Sequence, residues 1–289
     1  MMIKKSLVCI VYVSDSRLQI ISKLKEIISN HSSVFLAHSF IDEPYNRTSF
    51  FLTGIENNHI ADCALSLCET AISLLDYSQH TGMHPTLGTV DHISFSPLGD
   101  ETTDTAALIA NNFAKSFNKQ YNIPVFLYGH ASSNQNKLKD IRRNLGYFDK
   151  DVEKKCLNWS NDCIPDYNIN ELNEPDPTRG VSTIGAVPLV LNFNMRFRKI
   201  DERNQVIKVT KAVRNISPTI EALTLPHEKG FEVACNLLNT KECGPDQVLP
   251  VAQETANDLD LLIEESYCTG PKDTDLLTKL NQWITDTKS

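Results

Sequence analysis

The stretch His80-Thr-Gly-Met-His84-Pro-Thr-Leu-Gly88-Thr-Val-Asp91-His92 contains three of the eight histidines of this 289-residue chain. A continuous helix is excluded there, because proline lacks an N–H group and disfavours helical backbone at the residue before it. The sequence therefore predicts an irregular loop that leads into a strand over residues 91–96. Catalytic side chains are often carried on such loops, and histidine is well suited to exchanging a proton near neutral pH.

On either side of this loop, strand patterns alternate with helix patterns. Runs rich in β-branched and aromatic residues predict strands over 7–13, 34–40, 48–53 and 123–128. Apolar residues at helical spacing predict helices over 16–28, 60–75, 103–117 and 137–145. Residues 147–179 are rich in Asn, Asp, Glu and Pro and show little periodicity, so they are interpreted as a connecting segment.

A second alternation begins at Gly180. It predicts a strand over 181–197, a helix over 205–215, strands over 219–225 and 231–238, and helices over 251–264 and 273–284. The expected domains are therefore residues 1–179 and 180–289. Both halves show the order strand, helix, strand, strand, helix, which predicts an α/β (α+β) fold of two ferredoxin-like sandwiches. Sheets that face each other across a gap would form a tunnel, which is a usual place for a ligand.

Composition and charge narrow the classes of protein that fit. The hydrophobic fraction of 41% and the charged fraction of 22% are ordinary for a globular protein with a sizeable core. A net charge of −8, without a run of Lys and Arg, argues against nucleic-acid binding. No apolar run is long enough to span a membrane, and the apolar stretch at the start is too short for a signal peptide. We therefore expect a cytoplasmic protein whose eight cysteines are free thiols.

Several short motifs occur in order along the chain: Asn46-Arg-Thr48, His80-x-x-x-His84-Pro-x-x-Gly88-x-x-Asp91, Pro124-Val-x-Leu-Tyr128-Gly129, Gly180-x-x-x-x-Gly185-Ala186 and Asn192-Phe-Asn194. In this order they resemble the formimidoyltransferase (glutamate formiminotransferase) domain of formimidoyltransferase-cyclodeaminase. Two further segments, Ile141-Arg-Arg-x-Leu-Gly-Tyr-Phe148 and Glu232-Val-Ala-Cys-Asn-Leu-Leu-Asn239, are similar to the plant formimidoyltransferase-like proteins. The resemblance runs from about Leu7 to the C-terminal region, and no cyclodeaminase domain is expected.

The resemblance implies two α/β subdomains whose sheets line a folate tunnel, and it implies a homodimer. It also implies a transferase that moves a formimino or other one-carbon group between a glutamate-like donor and tetrahydrofolate, the co-substrate. The catalytic histidine of the family's His-Pro motif corresponds to His84, and the folate-contacting segment to Pro177-Thr-Arg-Gly180. The expected ligand-binding residues are Asn46, Arg47, His80, Tyr128, Thr178, Arg179, Gly180, Asn194 and Asn236.

The chemistry of these side chains leaves other interpretations open. His84 would act as a general acid and base, or it would only bond backbone in a tight loop. Arg47 would grip a carboxylate or phosphate with its forked guanidinium, or it would close a salt bridge on the hairpin. Asn194 and Asn236 interrupt apolar strand patterns, where a buried amide needs partners from either a ligand or the backbone.

The departures from the family pattern concern the substrate. Phe40 stands where an aspartate is expected before the Asn-Arg-Thr motif, and Asp42 lies two positions further along. Val187-Pro188 replaces a basic pair, and Leu145-Gly-Tyr-Phe148 replaces Gly-Glu-x-Glu. Since basic residues would hold the carboxylates of folate and glutamate, these changes bear on the substrate more than on the fold.

A metal site is not expected in the histidine loop. The spacing of His80 and His84 suits zinc on a helix, with Asp91 as a third ligand, but Gly82 and Pro85 interrupt the helix. We therefore expect the two histidines to work without a metal ion.

The regular geometry of strands and helices predicts where two further sets of side chains point. Successive side chains of a regular strand point to opposite faces, so His92 is expected to point away from Asp91. The pair Arg142-Arg143 lies on a predicted helix, where one face is expected to be solvated.

Three classes of function fit these observations. The leading hypothesis is the folate-dependent transferase, and the alternative is a catalytically altered folate- or small-anion-binding protein of the same fold. An interaction protein that uses the same fold is the third. Tight folate binding would separate the first two from the third, and turnover that depends on His84 would separate the first from the second.

Overall fold

The computed structural model describes residues 3–147, 164–171, 174–198 and 203–288. The chain divides into two compact units, Met1–Pro188 with Asp273–Ser289, and Leu189–Lys272. The first unit contains β1 (Lys5–Val13), α1 (Leu18–Ser29), β2 (Val34–Asp42), β3 (Arg47–Gly54), α2 (Asn57–Leu74), β4 (Val90–Gly99), α3 (Thr103–Tyr121), β5 (Val125–Gly129), α4 (Leu138–Asn144), β6 (Ser182–Ala186) and α7 (Asp273–Lys288). The second unit contains β7 (Leu191–Phe197), α5 (Arg203–Arg214), β8 (Ile220–His227), β9 (Gly230–Leu237), α6 (Pro245–Asn257) and β10 (Ile263–Cys268).

The sheet of the first unit has the strand order β2-β3-β1-β4-β6-β5. Strand β1 lies antiparallel to β3 and to β4, with Val11 opposite both Phe50 and Ile93. Strand β6 runs parallel to β4 and β5. Parallel strands need long crossover connections, and α3 lies on the connection from β4 to β5.

One face of this sheet packs on helices because alternate strand residues are apolar. Leu7, Cys9, Val11 and Val13 of β1 are fully buried and share a core with the apolar stripes of α1, α2 and α3. Burying a large apolar side chain contributes roughly 1.5–3 kcal/mol, so this core is the main source of stability for the first unit.

The helix α7 packs on the opposite face of the same sheet. The Trp283 ring stacks on Phe35 of β2 with centroids 5.0 Å apart, and Lys279 Nζ donates to the Ala37 carbonyl at 3.0 Å. Val34 points into the helix-covered core, and adjacent strand residues point to opposite faces. The last helix therefore belongs to the first unit, although it follows the second unit in sequence.

The sheet of the second unit has the strand order β10-β7-β9-β8, with all pairs antiparallel. Phe193, Met195 and Val233 face a core that includes residues of α5 and α6. The same interleaved order relates β4-β1-β3-β2 in the first sheet, and each set follows the chain order β-α-β-β-α-β of a split βαβ unit. The predicted α+β fold of two subdomains is confirmed.

Two predicted elements are wrong. The predicted strand over 181–197 is two strands, β6 in the first sheet and β7 in the second. Pro188 lies between them, and proline has no N–H group to donate to a strand ladder. The predicted helix over 251–264 instead begins at Pro245 and ends at Asn257, and Ile263–Cys268 forms β10. Pairing with the distant strand β7 stabilises β10, and such context outweighs local propensity.

Two further predictions concern the state of the cysteines and the presence of a membrane-spanning segment. Cys9, Cys63, Cys68, Cys235, Cys243 and Cys268 are free thiols, whereas Cys156 and Cys163 lie outside the described residues. The prediction that all eight are free stays a prediction. In the described ranges, no helix combines the length and the apolar character that a membrane crossing needs.

Candidate functional site

The candidate site is built around an irregularity in strand β4. Tyr12 pairs with His92 and Val13 pairs with Val90, so Asp91 has no residue opposite it. This is a β-bulge, which re-aims a side chain. The His92 ring lies 5.3 Å from the Tyr12 ring, and Asp91 also lies on the Tyr12 side, as its arginine partner shows below. The expectation that His92 points away from Asp91 is therefore wrong.

The Asp91 carboxylate joins the histidine loop to two other elements. Its side chain is fully buried. Its Oδ1 atom accepts a hydrogen bond from the Leu87 N–H at 2.7 Å. Its Oδ2 atom lies 2.5 Å from Arg47 Nη2 and 3.8 Å from Arg142 Nη2. One carboxylate thus holds the loop, the start of β3 and the helix α4.

Two guanidinium groups meet at this carboxylate, and each lies over a tyrosine ring. Arg47 Cζ is 4.3 Å from the centre of the Tyr12 ring, and Arg142 Cζ is 4.5 Å from that of Tyr147. Cation–π contacts of this kind are strengthened by burial. The Nε atoms of both arginines are buried and have no hydrogen-bond partner among the described residues. Among the described residues, the cluster thus contains two guanidinium groups and one carboxylate.

The expected solvated face of α4 is the one that carries Arg143, whereas Arg142 lies on the buried face. Its side chain is only 14% exposed, whereas that of Arg143 is 66% exposed and pairs with Asp140 at 2.9 Å. Consecutive helical residues are about 100° apart around the axis, so only one of two adjacent arginines faces the sheet. The orientation of α4 on the sheet decides which one, and this orientation is not visible in the local sequence.

His84 lies beside the arginine pair and is partly buried. Its Nδ1 atom donates to the Pro85 carbonyl at 2.7 Å, which assigns the proton to Nδ1 and the lone pair to Nε2. The Tyr45 ring lies 4.7 Å away and the Tyr147 ring 6.0 Å away. Burial, followed by the charges of Arg47 and Arg142, lowers the pKa of His84 well below its usual value. The imidazole is therefore neutral at neutral pH, with Nε2 able to accept a proton.

Asn46 and His80 hold the histidine loop in place. Asn46 adopts a positive φ of 47°, and its Oδ1 atom accepts from the Ser16 N–H at 2.9 Å, while Nδ2 donates to the Thr81 carbonyl at 2.9 Å. His80 Nδ1 donates to the Ser14 carbonyl at 3.0 Å. Both side chains line a cleft of about 400 Å³, together with Ser14, Tyr77 and Thr89.

Tyr128 reaches the site through His92. The Tyr128 hydroxyl donates to His92 Nε2 at 3.3 Å, and His92 Nδ1 donates to Thr183 Oγ1 at 3.1 Å. Burial, with the charges of Arg142 and Arg47, lowers the pKa of His92 well below its usual value. A second neutral histidine therefore packs against the Tyr12 ring, and Arg47 lies over that same ring.

The segment 178–180 packs against the loop. The Thr178 carbonyl accepts from the Tyr77 N–H at 2.8 Å. Gly180 has a φ of 72°, and a Cβ atom there would lie 2.2 Å from the Leu87 carbonyl oxygen. Arg179 Nη1 donates to the Tyr121 carbonyl at 2.8 Å, so its guanidinium contacts the end of α3 and not the arginine pair.

The two predicted asparagines lie in the second unit and contact side chains of neighbouring strands. Asn194 Nδ2 donates to Glu232 Oε1 at 2.8 Å, and Asn236 Oδ1 accepts from Asn192 Nδ2 at 2.6 Å. Since Phe193 and Met195 face the core, Asn194 is on the opposite face of the second sheet, where it is buried. Each buried or half-buried amide thus finds a side-chain partner within its own unit.

The residues of the alternative zinc site have other partners. His80 and His84 bond carbonyl oxygens, and Asp91 bonds an arginine. Among the residues that the structure describes, no group of three or more His, Cys, Asp or Glu side chains is arranged to hold a metal ion.

Fold and site together define an α+β protein of two units with a loop histidine beside a buried arginine pair. Residues 6–187 match the family model "Formiminotransferase domain, N-terminal subdomain", so the chain belongs to the formiminotransferase family. The resemblance that the motifs predicted is confirmed.

Three relatives illustrate the range of the family. The chain is 27% identical over 281 residues to the formiminotransferase cyclodeaminase-like protein of Arabidopsis thaliana, covering 90% of this chain and 91% of the relative. It is 28% identical over 206 residues to the glutamate formimidoyltransferase of Streptococcus pyogenes serotype M1, covering 70% and 67%. It is 25% identical over 269 residues to the formimidoyltransferase-cyclodeaminase of Rattus norvegicus, covering 87% of this chain and 47% of the relative, which is about half its length.

Proposed function

We propose that this protein transfers a formimino or other one-carbon group between a glutamate-like donor and tetrahydrofolate. The observation that carries this proposal is His84, a neutral histidine near the arginine pair whose Nδ1–H is held by the Pro85 carbonyl, which leaves the lone pair on Nε2. Membership of the formiminotransferase family supports the reaction class, and relatives named glutamate formimidoyltransferase support the donor class.

His84 acts first as a base and then as an acid. Its Nε2 atom takes the proton from the folate nitrogen as that nitrogen bonds to the formimino carbon. It then returns the proton to the donor's amine nitrogen as the old carbon–nitrogen bond breaks. A positioned acid and base of this kind contributes a factor of about 10²–10⁴ to the rate. The bond from Nδ1 to the Pro85 carbonyl fixes the tautomer that this cycle needs.

Arg47 binds a carboxylate of the ligand in this proposal. Folate and glutamate both carry carboxylates, and the buried Nε atom of Arg47 has no partner among the described residues. A guanidinium presents donors in a fork that matches a carboxylate. The orphaned donor is therefore consistent with a folate or glutamate group, which would satisfy it on binding.

Four of the other predicted ligand residues also have supporting roles. Asn46 and His80 shape the loop, and Gly180 packs against it. Tyr128 holds His92. Asn194, Asn236, Thr178 and Arg179 stay proposed ligand contacts, and the homodimer stays a prediction.

A binding protein of the same fold is the second candidate. The same two cations and the same burial that keep His84 neutral also make it a weak base. A weaker base takes up a proton less readily in the transition state. A chain that binds folate or a small anion without turnover is consistent with this observation.

The test compares His84→Ala with His59→Ala, a control on α2 whose side chain is 47% exposed. We expect His84→Ala to lower turnover by about 10²–10⁴ while folate affinity stays nearly unchanged. Arg47→Ala should do the reverse and weaken binding by about 1.5–3 kcal/mol. Calorimetric titration with tetrahydrofolate and initial rates with formimino and formyl donors measure the two effects.

One outcome would replace the enzyme by the binding protein. In that case the wild-type protein binds folate, transfers nothing from any formimino or formyl donor, and loses affinity when His84 is replaced. Circular dichroism of each variant separates loss of function from loss of fold.

A further inference from the structure

We propose that Arg47 and Arg142 together bind one carboxylate group, and that the bound carboxylate favours the protonated form of His84. The inference deepens the proposed function, since it concerns the same site. It adds a residue, Arg142, that is not among the ligand-binding residues expected from the sequence, and it links occupancy of the site to proton transfer.

The first step is the imbalance of charge around Asp91. The closest nitrogen atoms of the two guanidinium groups lie 2.5 Å and 3.8 Å from the same Asp91 oxygen. Tyr12 and Tyr147 stay neutral, because burial raises the pKa of each hydroxyl. Within the described residues the cluster therefore carries one positive charge in excess. Such a buried charge is costly unless an anion pairs with it.

The second step concerns the arginine N–H donors that have no acceptor among the described residues. The Nε–H groups of Arg47 and Arg142 are buried without an acceptor in the described part of the chain. A buried donor without a partner is unfavourable by itself. A carboxylate has two oxygens and accepts forked hydrogen bonds from guanidinium groups. One carboxylate between the two arginines therefore corrects both the charge and the unpaired donors.

The size of the charge favours a carboxylate over a phosphate. A single carboxylate carries one negative charge, which matches the single positive charge in excess. Inorganic phosphate near neutral pH carries more than one charge and would leave the buried site negative. Desolvating that additional charge is unfavourable in a closed cluster.

The third step links the anion to His84. Among the described residues, the charged and titratable groups near this histidine are Arg47 on β3, Arg142 on α4, Tyr147 after α4, Tyr45 before β3 and His80 in the loop. Asp91 on β4 lies next to the two arginines. The two arginines disfavour a positive imidazolium. A carboxylate between them offsets part of their field, so His84 binds a proton more readily when the site is filled.

The link works in both directions. If the anion makes protonation of His84 easier, protonation must tighten anion binding by the same factor. Binding of a carboxylate should therefore strengthen as the pH falls from about 8 to 6, where carboxylates are still ionised. In the transferase, a donor carboxylate would raise the basicity of His84 only after the donor has bound.

The experiment compares Arg142→Gln with Arg143→Gln, an adjacent control whose side chain is exposed. The probe is glutarate, and its binding is measured by calorimetry at pH 6 and pH 8. We expect Arg142→Gln to weaken binding about 10-fold or more, and Arg143→Gln to stay within about 2-fold of wild type. Arg142→Lys keeps the positive charge but loses the forked donors, so its affinity for glutarate should lie between those of Arg142→Gln and Arg143→Gln. Intermediate binding by this variant also shows that a change at position 142 leaves the fold intact.

The second readout is the NMR titration of His84, assigned by its absence in His84→Gln. Saturating glutarate should raise its pKa in the wild type and in Arg143→Gln, and leave it unchanged in Arg142→Gln. Equal binding by the wild type and Arg142→Gln, no binding by the wild type, tighter binding of inorganic phosphate, or an unmoved His84 titration would each overturn the proposal. None of these measurements needs folate or turnover. A negative transferase assay therefore does not contradict the carboxylate site, and absence of glutarate binding does not contradict the transferase.

Discussion

In each unit, the sheet face that points away from the main helix-packed core carries a cluster of similar composition, and among the described residues the two clusters have opposite net charge. In the first unit, two arginines surround one carboxylate, and Arg47 lies over the Tyr12 ring at 4.3 Å. In the second unit, Arg196 lies over the Tyr267 ring at 4.6 Å. It contacts two carboxylates, Glu265 at 3.0 Å and Glu232 at 3.8 Å.

The comparison shows what the repeated topology supplies and what it leaves open. Both units place an arginine on a tyrosine ring next to a fully buried carboxylate, Asp91 or Glu232. The sign of the residual charge then depends on the third charged residue, Arg142 in one unit and Glu265 in the other. The fold thus provides a polar face, and single side chains decide which ligand chemistry the face suits.

The largest expected effect comes from neutralising the central carboxylate in each unit. Asp91→Asn leaves two buried guanidinium groups without a counter-charge, which should destabilise the protein by about 3–5 kcal/mol. Glu232→Gln leaves Arg196 paired with Glu265, so a cost of about 1–3 kcal/mol is expected. Denaturant unfolding of the two variants measures the difference. Equal costs, or a larger cost for Glu232→Gln, would contradict the charge assignment of the two faces.

A smaller effect is expected in the pH dependence of the unfolding free energy. It tests whether the sheet face that carries Arg47 and Arg142 is positively charged. Burial and the arginines hold His84 and His92 neutral, with pKa values below those in the unfolded chain. The unfolded state then binds more protons below about pH 6.5, so stability is complete above that pH and falls as the pH drops toward the folded-state values. Each histidine should contribute a slope of up to about 1.4 kcal/mol per pH unit.

The histidine origin of this slope is open to a direct check. His92→Asn should flatten the fall in unfolding free energy between pH 7 and pH 5.5, whereas His59→Asn, on an exposed position of α2, should not. The absolute stability of His92→Asn will be lower because two hydrogen bonds are lost. An unchanged slope in that variant would show that His92 is not held neutral.

The smallest effect concerns thiol reactivity in the two units. Burial raises the pKa of Cys9, Cys63 and Cys68 in the first core, and a protonated thiol is a poor nucleophile. Burial also raises the pKa of Cys268 in the second unit, but this thiol is exposed to the reagent. A thiol reagent at neutral pH should therefore modify Cys268 early, and Cys268→Ser should remove one rapidly reacting thiol. Under denaturing, non-reducing conditions eight thiols are expected, and a clearly lower count would exclude the fully reduced state.

Part of the site follows from local sequence rules. Gly82 and Pro85 exclude a helix, and this exclusion predicted the loop that carries His84. Strand β10 and residue Arg142 did not follow from such rules. The first depends on pairing with β7, and the second on which side of α4 packs against the sheet. Asp91 was predicted on the opposite face from His92, because a single unpaired residue in a strand leaves no pattern in the sequence.

The amino-acid sequence by itself determined the two-part α+β fold, the irregular loop and the family, because helix and strand periodicity, proline chemistry and ordered motifs are local properties of the chain. The tertiary structure alone decided that Arg47, Arg142 and Asp91 meet, since they come from three elements far apart in sequence. It also decided the tautomer and the lowered pKa of His84, because electrostatic fields depend on distance and burial in space. Side chains acquire those quantities only when the sheet, the bulge at Asp91 and the helix α4 are packed together.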